Sequence, residues 1–585
     1  MSASPGAPAA TAAPHACAHA TTRCDGAIEV PLNWDDASSE RISVAFAWLP
    51  AKAADGTVVA NIGGPARSLP TVELVQRLLG PVLDHKNLLL VDPRGFGKST
   101  PLLCPGIDLM KSATIAACAE RVGARAQYFT ADQASHDLEA IRRALGLGKV
   151  SYFGNSYGTL FAQAYAARYP GSLDALFLDS VLVYDRDGYA TWPIRFQAGI
   201  LDLICGRSPA CAALPGSASG TWARLVERLR KQPDPEVPAL KSGTLGQVPE
   251  PVFRREAAGA ATAYLQGDPA PLRRLARRVP DGVDSADDPS SAAYLAYRCG
   301  DGSFPFDRSA APTEREAQAL RYYERVRPLA PYRLTEVIAD VKTLEVCVNW
   351  PTPRHSPPRP VGAALPAVPV LVVTGDLDTN PPADVRRSMR VFPGAVVLRV
   401  PFGGHALSFS PGSLGACVLG TMRTFLTTKQ VTDRGCTAEN YRATGAFPQV
   451  SADLPPYPAR GLTAGQRRVL AAAFATAEDA AARRNPQSGY YVEVRSEPGL
   501  RGGQVSLGET VVLDGVRFVR DVRTDGRIRF TPDGRATPGG AANGNATAEL
   551  RVTAGGRTHE VRLTWAPFST RPAVSGTFDG IPFGS

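Results

Sequence analysis

No apolar run approaches the roughly 18 residues that a membrane-crossing helix needs. There is no concentrated basic stripe either: Lys+Arg 64 against Asp+Glu 55 leaves only +9 over 585 residues, with the two signs mixed. The densest basic group, Arg273, Arg274, Arg277 and Arg278, has the spacing of a solvated helix face. A transmembrane segment and a nucleic-acid partner are therefore not expected. The sequence lacks internal repeats and any Cys-x-x-Cys pair, so zinc-ribbon and thioredoxin-like readings have no support. No metal and no cofactor are expected. The N-terminus has neither a basic n-region nor an apolar h-region, and reads as a flexible tail rich in small residues and proline. His15, Cys17 and His19 lie close together there, but neighbours in a flexible tail are weak grounds for a metal site.

Cysteine, by contrast, is plentiful and even in number: Cys17, Cys24, Cys104, Cys118, Cys205, Cys211, Cys299, Cys347, Cys417 and Cys436. Many fall in sequential pairs separated by short segments, which disulfides close easily and which persist in oxidising compartments. Sequential pairing, with Cys17–Cys24 first and Cys417–Cys436 last, is the expectation. It goes with a secreted or periplasmic protein whose signal peptide is not in this sequence. With 44% hydrophobic and 20% charged residues the composition is that of a globular protein of two to four domains.

From Cys24 to Val183, β-like runs alternate with helical ones. Ile42–Leu49, Thr57–Ile62, Asn87–Val91, Lys149–Phe153 and Ala175–Leu178 read as strands; Asp132–Leu145 and Tyr157–Tyr169 read as helices. Such alternation predicts an α/β class with a mostly parallel sheet covered on both faces. From Tyr184 to Trp350 the alternation gives way to helical stretches among Pro- and Gly-rich loops, a largely helical insertion. It resumes at Val368–Thr374, Ala395–Val400 and the helix Leu414–Leu426. Leu454–Pro458 looks like a linker. Beyond it, a helix over Ala464–Arg483 precedes short alternating strands at Tyr490–Val494, Thr510–Val522, Ala548–Thr553 and Thr558–Thr564, which suggests a separate β-rich module. The expected division is a tail over 1–23, core over 24–183, cap over 184–350, core over 351–457 and terminal module over 458–585.

Chemistry enters at Gly154-Asn155-Ser156-Tyr157-Gly158-Thr159, between a predicted strand and a predicted helix. A serine on so sharp a turn holds its hydroxyl clear of the backbone. It needs a base, and the base needs a carboxylate, in the chain order Ser, acid, His. Among the seven histidines only His355, His405 and His559 follow the serine. His405, in Gly403-Gly404-His405-Ala406 just after a predicted strand, is the candidate. Both Asp376 and Asp378, in the loop after the preceding strand, are candidates for the acid. Acyl transfer also needs donors for the oxyanion. The Tyr157 N–H, directly after the serine, is one; Gly64 N–H, in Asn61-Ile62-Gly63-Gly64-Pro65 after an earlier strand, is the other.

These motifs resemble the secreted tripeptidyl-aminopeptidase-like enzymes, relatives of prolyl iminopeptidase among the α/β-hydrolases. The resemblance spans roughly Cys24 to Phe447. It is carried by Val30-Pro31-Leu32-Asn33-Trp34, Gly63-Gly64-Pro65, Asp92-Pro93-Arg94-Gly95-Phe96-Gly97-Lys98-Ser99, Asp137-Leu138-Glu139 with Arg142, the Ser156 turn, Gly375–Pro381, Gly404-His405 and Cys436. It departs at Ala66, where that family usually has glycine, and at Asn61-Ile62. The resemblance implies an α/β-hydrolase fold and a serine exopeptidase acting on peptide N-termini, with Ser156, Asp378 and His405 as triad. It also implies a cap carboxylate for the substrate's free amine, with Asp301 and Glu256 as candidates. An esterase acting on small esters or lipids is the alternative on the same triad, and a non-catalytic binding protein a further one. The terminal module lies outside the resemblance; contact with a surface polymer is one candidate role for it.

Overall fold

A computed structural model of the chain describes residues 14–109, 111–182, 192–237, 251–278, 289–333, 336, 347–351, 357–378, 389–410, 412–437, 442–484, 494–531, 545–567 and 573–584. Eight strands form the first sheet: β1 (Cys24–Pro31), β2 (Arg41–Leu49), β3 (Thr57–Asn61), β4 (Asn87–Val91), β5 (Val150–Asn155), β6 (Leu173–Asp179), β7 (Val370–Gly375) and β8 (Ala395–Val400). Their spatial order is β1-β2-β4-β3-β5-β6-β7-β8. From β4 to β8 all pairings are parallel, while β1 and β2 add an antiparallel edge. The fold is that of an α/β-hydrolase.

The continuous apolar runs follow from burial on both faces. In β4, Leu89 joins the core on one face while Leu88 and Leu90 join the core on the other. In β6, Leu176 and Leu178 divide from Phe177 in the same way. Successive side chains of a strand point to opposite faces, so a strand between two helical layers must be apolar throughout. Each fully buried side chain of this size contributes about 1.5–3 kcal/mol.

Between β6 and β7, in the insertion expected to form a cap, lie the helices Ala218–Lys231, Pro251–Leu265, Ala270–Ala276, Ser291–Asp301 and Pro312–Val326. The C-terminal region is a second eight-stranded sheet, an antiparallel meander of β9 (Ser496–Pro498), β10 (Gln504–Ser506), β11 (Val511–Val516), β12 (Val522–Phe530), β13 (Ala546–Ala554), β14 (Arg557–Trp565), β15 (Ser575–Phe578) and β16 (Ile581–Gly584). The helix Ala464–Arg483 packs across β11 to β14. Its N-terminus is closed by a capping box between Thr463 and Gln466. Buried Ala472, Ala473, Ala477, Ala480 and Ala481 have little bulk, so the helix can lie close to the sheet.

One expectation is adjusted. The run Thr510–Val522 divides into two strands, β11 and β12, joined by a turn. Phe518 and Val519 are buried within the turn itself, so apolar alternation continues where the strand has ended. One apolar cluster includes Phe46 and Leu89 of the first sheet, Trp222 and Leu272 of the inserted helices, and Leu470 and Trp565 of the C-terminal region. The Pro-rich segment before it is docked, with the Tyr457 ring against Phe474 and Phe583. Most of the run expected at Tyr490–Val494 lies outside the described residues, as does His355.

Candidate active site

Parallel pairing gathers the chemistry at one edge of the sheet. Asn61 at the end of β3 pairs with Gly154 near the end of β5, so the Gly63-Gly64 loop and the Ser156 turn leave the sheet side by side. Strand order reverses between β4 and β5 about β3, the kind of point where crevices open in α/β sheets. The loops after β7 and β8, which carry Asp378 and His405, emerge at the same edge.

The Ser156 turn is a strained connection. Ser156 has φ +51°, in the left-handed region that costs a side-chain-bearing residue about 1–3 kcal/mol. Its N–H donates to Asp179 O at 3.0 Å, holding the turn against the end of β6. Close approach explains the glycines around it. A Cβ on Gly158 would sit 2.0 Å from Asn61 O, and one on Gly63 would sit 2.9 Å from Ser156 Cβ and 3.0 Å from Tyr157 N. The Gly63 N–H in turn donates to Asn61 Oδ1 at 2.9 Å, which shapes the loop leading to Gly64.

His405 Nε2 lies 2.8 Å from Ser156 Oγ, and His405 Nδ1 lies 2.9 Å from Asp378 Oδ2. The Asp378 carboxylate is fully buried while the imidazole retains some exposure. Burial disfavours the imidazolium, but the charge of Asp378 and its hydrogen bond outweigh this and raise the His405 pKa above its ordinary 6.5. The other carboxylate of that loop is engaged elsewhere. Asp376 pairs with Arg207 Nη2 at 2.6 Å and accepts from Phe402 N–H at 2.7 Å, so it ties the acid loop to the start of the histidine loop.

Three residues beside this set were not singled out from the sequence. Asp179, at the end of β6, is buried and accepts from Leu407 N–H at 3.1 Å, Ser408 N–H at 2.7 Å and Ser408 Oγ–H at 2.5 Å. Burial still pushes its carboxyl up against those hydrogen bonds. Ser180 Oγ accepts from Ala406 N–H at 2.8 Å. Together they anchor the loop that carries His405. The available signal was their place at the end of a predicted strand, on the same edge as the serine. The third is Arg298, on the cap helix Ser291–Asp301.

The two cap carboxylates proposed as amine anchors sit differently from that expectation. Asp301 is 0% exposed, and its oxygens accept from Ala131 N–H at 3.0 Å and Tyr157 Oη–H at 2.8 Å. Burial pushes its carboxyl up to about 7, against both bonds. It braces Tyr157 and a helix N-terminus, with no exposed oxygen for an ammonium group. Glu256 lies in a buried ion cluster with Arg483 at 2.6 Å and Arg274 at 3.4 Å. Its charge is already paired with that of Arg483 on the terminal helix. His559 pairs with Asp579 in the terminal sheet at 2.7 Å.

The Asp92–Ser99 motif proves to be scaffolding for the same edge. The Asp92 carboxylate accepts from the N–H groups of Ser68, Leu69 and Lys98, tying the segment after Gly64 to this turn. Arg94 makes a buried two-pronged pair with Asp137 at 2.8 and 2.6 Å. A cavity of about 740 Å³ opens beside the Gly64 loop, its lining including Pro65, Ala66, Arg67, Phe96, Leu103 and Tyr294. Ala66, where the resemblance expected glycine, is part of that wall. Among the described residues no group of three or more His, Cys, Asp or Glu could hold a metal ion.

Five disulfides close the described cysteines in sequential pairs: Cys17–Cys24, Cys104–Cys118, Cys205–Cys211, Cys299–Cys347 and Cys417–Cys436. No described helix is long and apolar enough to cross a membrane.

Comparison with known proteins agrees with this arrangement. Residues 57–194 match the family model of the alpha/beta hydrolase fold, and residues 335–438 match that of TAP-like protein. Serine protease Hip1 of Mycobacterium tuberculosis (strain ATCC 25618 / H37Rv) is 25% identical over 404 residues, covering 61% of this chain and 76% of that protein. The tripeptidyl aminopeptidase of Streptomyces lividans is 24% identical over 405 residues, covering 59% and 69%. Carboxylesterase B of Mycobacterium tuberculosis (strain CDC 1551 / Oshkosh) is 27% identical over 397 residues, covering 59% and 73%. With its fold and both matched segments in place, the chain is a serine hydrolase of α/β-hydrolase fold that carries a TAP-like segment over residues 335–438.

Proposed function

We propose that the chain is a serine peptidase releasing short pieces or single residues from peptide N-termini through an acyl-enzyme. The observation that carries the acyl-enzyme chemistry of this reading is the contact chain Ser156 Oγ–His405 Nε2 at 2.8 Å and His405 Nδ1–Asp378 Oδ2 at 2.9 Å. In it, Ser156 attacks the scissile carbonyl as its proton passes to His405 Nε2. The Asp378 carboxylate accepts from Nδ1–H, keeps the ring in the productive tautomer and supports the imidazolium. Backbone N–H groups of Gly64 and Tyr157 receive the oxyanion. The imidazolium then protonates the departing amine, and water, activated by the same base, releases the acyl group.

The similarity to a tripeptidyl aminopeptidase and a serine protease favours peptides. The cap, whose helix Ser291–Asp301 contacts the Gly64 loop through Arg298, would bar long chains from threading the cleft and so favour action at chain ends. The similarity to a carboxylesterase supports ester cleavage as the second reading, because a triad does not itself distinguish amides from esters. The five disulfides fit a secreted or periplasmic setting.

Aminoacyl and tripeptidyl p-nitroanilides, free and N-blocked, are to be compared with p-nitrophenyl esters. An aminopeptidase cleaves the free anilides and loses them on blocking. Cleavage of esters with indifference to blocked or free anilides would overturn the peptidase reading. Retained turnover in Ser156→Ala would overturn the triad.

A further inference from the structure

We infer that Arg298 is a positioning residue, reaching from the cap to hold together the two residues that supply the oxyanion donors. The inference rests on the assignment of Gly64 and Tyr157 to that role. Arg298 Nη2 donates to Gly64 O at 2.9 Å. Its guanidinium carbon lies 4.8 Å from the Tyr157 ring centroid and 5.1 Å from that of Tyr294, one turn earlier on its own helix. The residue is 5% exposed.

Only a planar cation suits this place. A guanidinium can donate in its plane to a carbonyl while its face lies over an aromatic ring, whereas an ammonium has no such face. The Tyr157 side chain is consequently held at two points by one cap helix: its ring by Arg298, its hydroxyl by the carboxylate of Asp301 at 2.8 Å. That helix is fastened by the Cys299–Cys347 disulfide, adjacent in sequence to Arg298. Gly64 has φ +114°, and the hydrogen bond to its carbonyl fixes the Gly64–Pro65 peptide plane, the neighbour of the plane that carries the Gly64 N–H. A displaced donor is costly because oxyanion stabilisation depends on donors being in place before charge develops.

The position has an electrostatic consequence too. Among the described residues, the charged groups acting most on His405 are Asp378 and Asp179 from the core, which favour the imidazolium, and Arg298 from the cap, which disfavours it. A fixed positive charge beside the Gly64 loop favours negative charge developing there and keeps the histidine available as a base.

The test compares wild type with Arg298→Gln and Arg298→Lys. It reads kcat and KM on the best chromogenic substrate, the acid limb of kcat/KM, labelling rate by a fluorophosphonate, and thermal melting. Folded Arg298→Gln should lose roughly 10- to 100-fold in kcat with KM within about threefold of wild type. Its labelling should slow in parallel, and its acid limb should move to higher pH. Arg298→Lys keeps the charge, so its acid limb should stay near wild type while kcat recovers only in part. Wild-type kcat in folded Arg298→Gln, or full recovery of kcat by lysine, would overturn the inference. So would a lowered melting temperature with kcat and acid limb unmoved. If Arg298→Gln does not fold, Arg298→Lys decides by the same split: reduced kcat at unchanged KM and acid limb supports the role, and wild-type kcat overturns it. Failure of the wild-type enzyme to be labelled at Ser156 would instead overturn the underlying triad assignment.

Discussion

Arg483 Nη1, at the end of the C-terminal helix, lies 2.6 Å from both carboxylate oxygens of Glu256 in the cap, and both side chains are almost wholly buried. Around this pair, Arg274 binds Asp479 at 2.7 Å, Arg278 binds Glu497 at 3.0 Å and Arg483 binds Glu497 at 2.5 Å. The terminal region thus neutralises the buried charges of the cap. Cutting a buried pair leaves an uncompensated ion, at a cost of about 3–5 kcal/mol. Arg483→Ala and Glu256→Ala should each lower the melting temperature sharply, while Glu256→Leu combined with Arg483→Met should recover part of the loss. Truncation after Pro458 should abolish folding of the cap, read by proteolysis and melting.

The same cluster sets an acid limit. Charges of the surrounding arginines hold the carboxyls of Asp479 and Glu497 below their ordinary values although burial opposes this. A depressed carboxylate pKa means that the unfolded chain takes up the proton first. Their stabilisation is complete above the ordinary values of 3.8 and 4.5 and is lost as pH falls through the folded values. Melting temperature should therefore fall steeply below about pH 4. Asp479→Asn should flatten that acid slope while lowering stability at neutral pH.

The two aspartates of the acid loop should separate cleanly in kinetics. Asp378→Asn leaves the geometry but removes the charge and fixes the wrong tautomer, so kcat should fall by roughly 10⁴-fold. Asp376→Asn weakens the link to Arg207 and Phe402, which should cost about 1–3 kcal/mol of stability and far less in kcat. Steady-state kinetics paired with melting curves of both variants checks this.

His405 must be neutral to act as base, and its pKa is raised above 6.5. The acid limb of kcat/KM should accordingly lie above pH 6.5, where an unperturbed imidazole would titrate. In stability the sign is opposite. The raised pKa adds stability below 6.5 that disappears as pH rises through the folded value. A pH–rate profile beside a pH series of melting curves distinguishes the two effects.

Among the disulfides, Cys299–Cys347 closes the longest loop, with a sequence separation of 48, against 6 for Cys205–Cys211. Loop-closure entropy makes it the more stabilising, at about 4 kcal/mol against about 2–3. Paired Cys→Ala variants should show that order in denaturant midpoints.

Much of this protein was decided along the chain itself. Alternation of apolar strands and amphipathic helices, with serine, acid and histidine after β5, β7 and β8, is local chemistry, and local chemistry can be read in order. The runs Asn87–Val91, Ala395–Val400 and Ala464–Arg483 form the elements their patterns predicted because burial and capping act over a few residues. What only the tertiary structure decided are relations between distant residues. Asp376 and Asp378 look alike in sequence, and only packing gives one to Arg207 and the other to His405. Glu256 and Asp301 looked like free acids until Arg483, 227 residues away, and Tyr157, 144 residues away, closed on them. Arg298 had no motif at all. Its role comes from a cap helix placed over the Gly64 loop, and charges meeting across such separations leave no periodicity for a sequence to display.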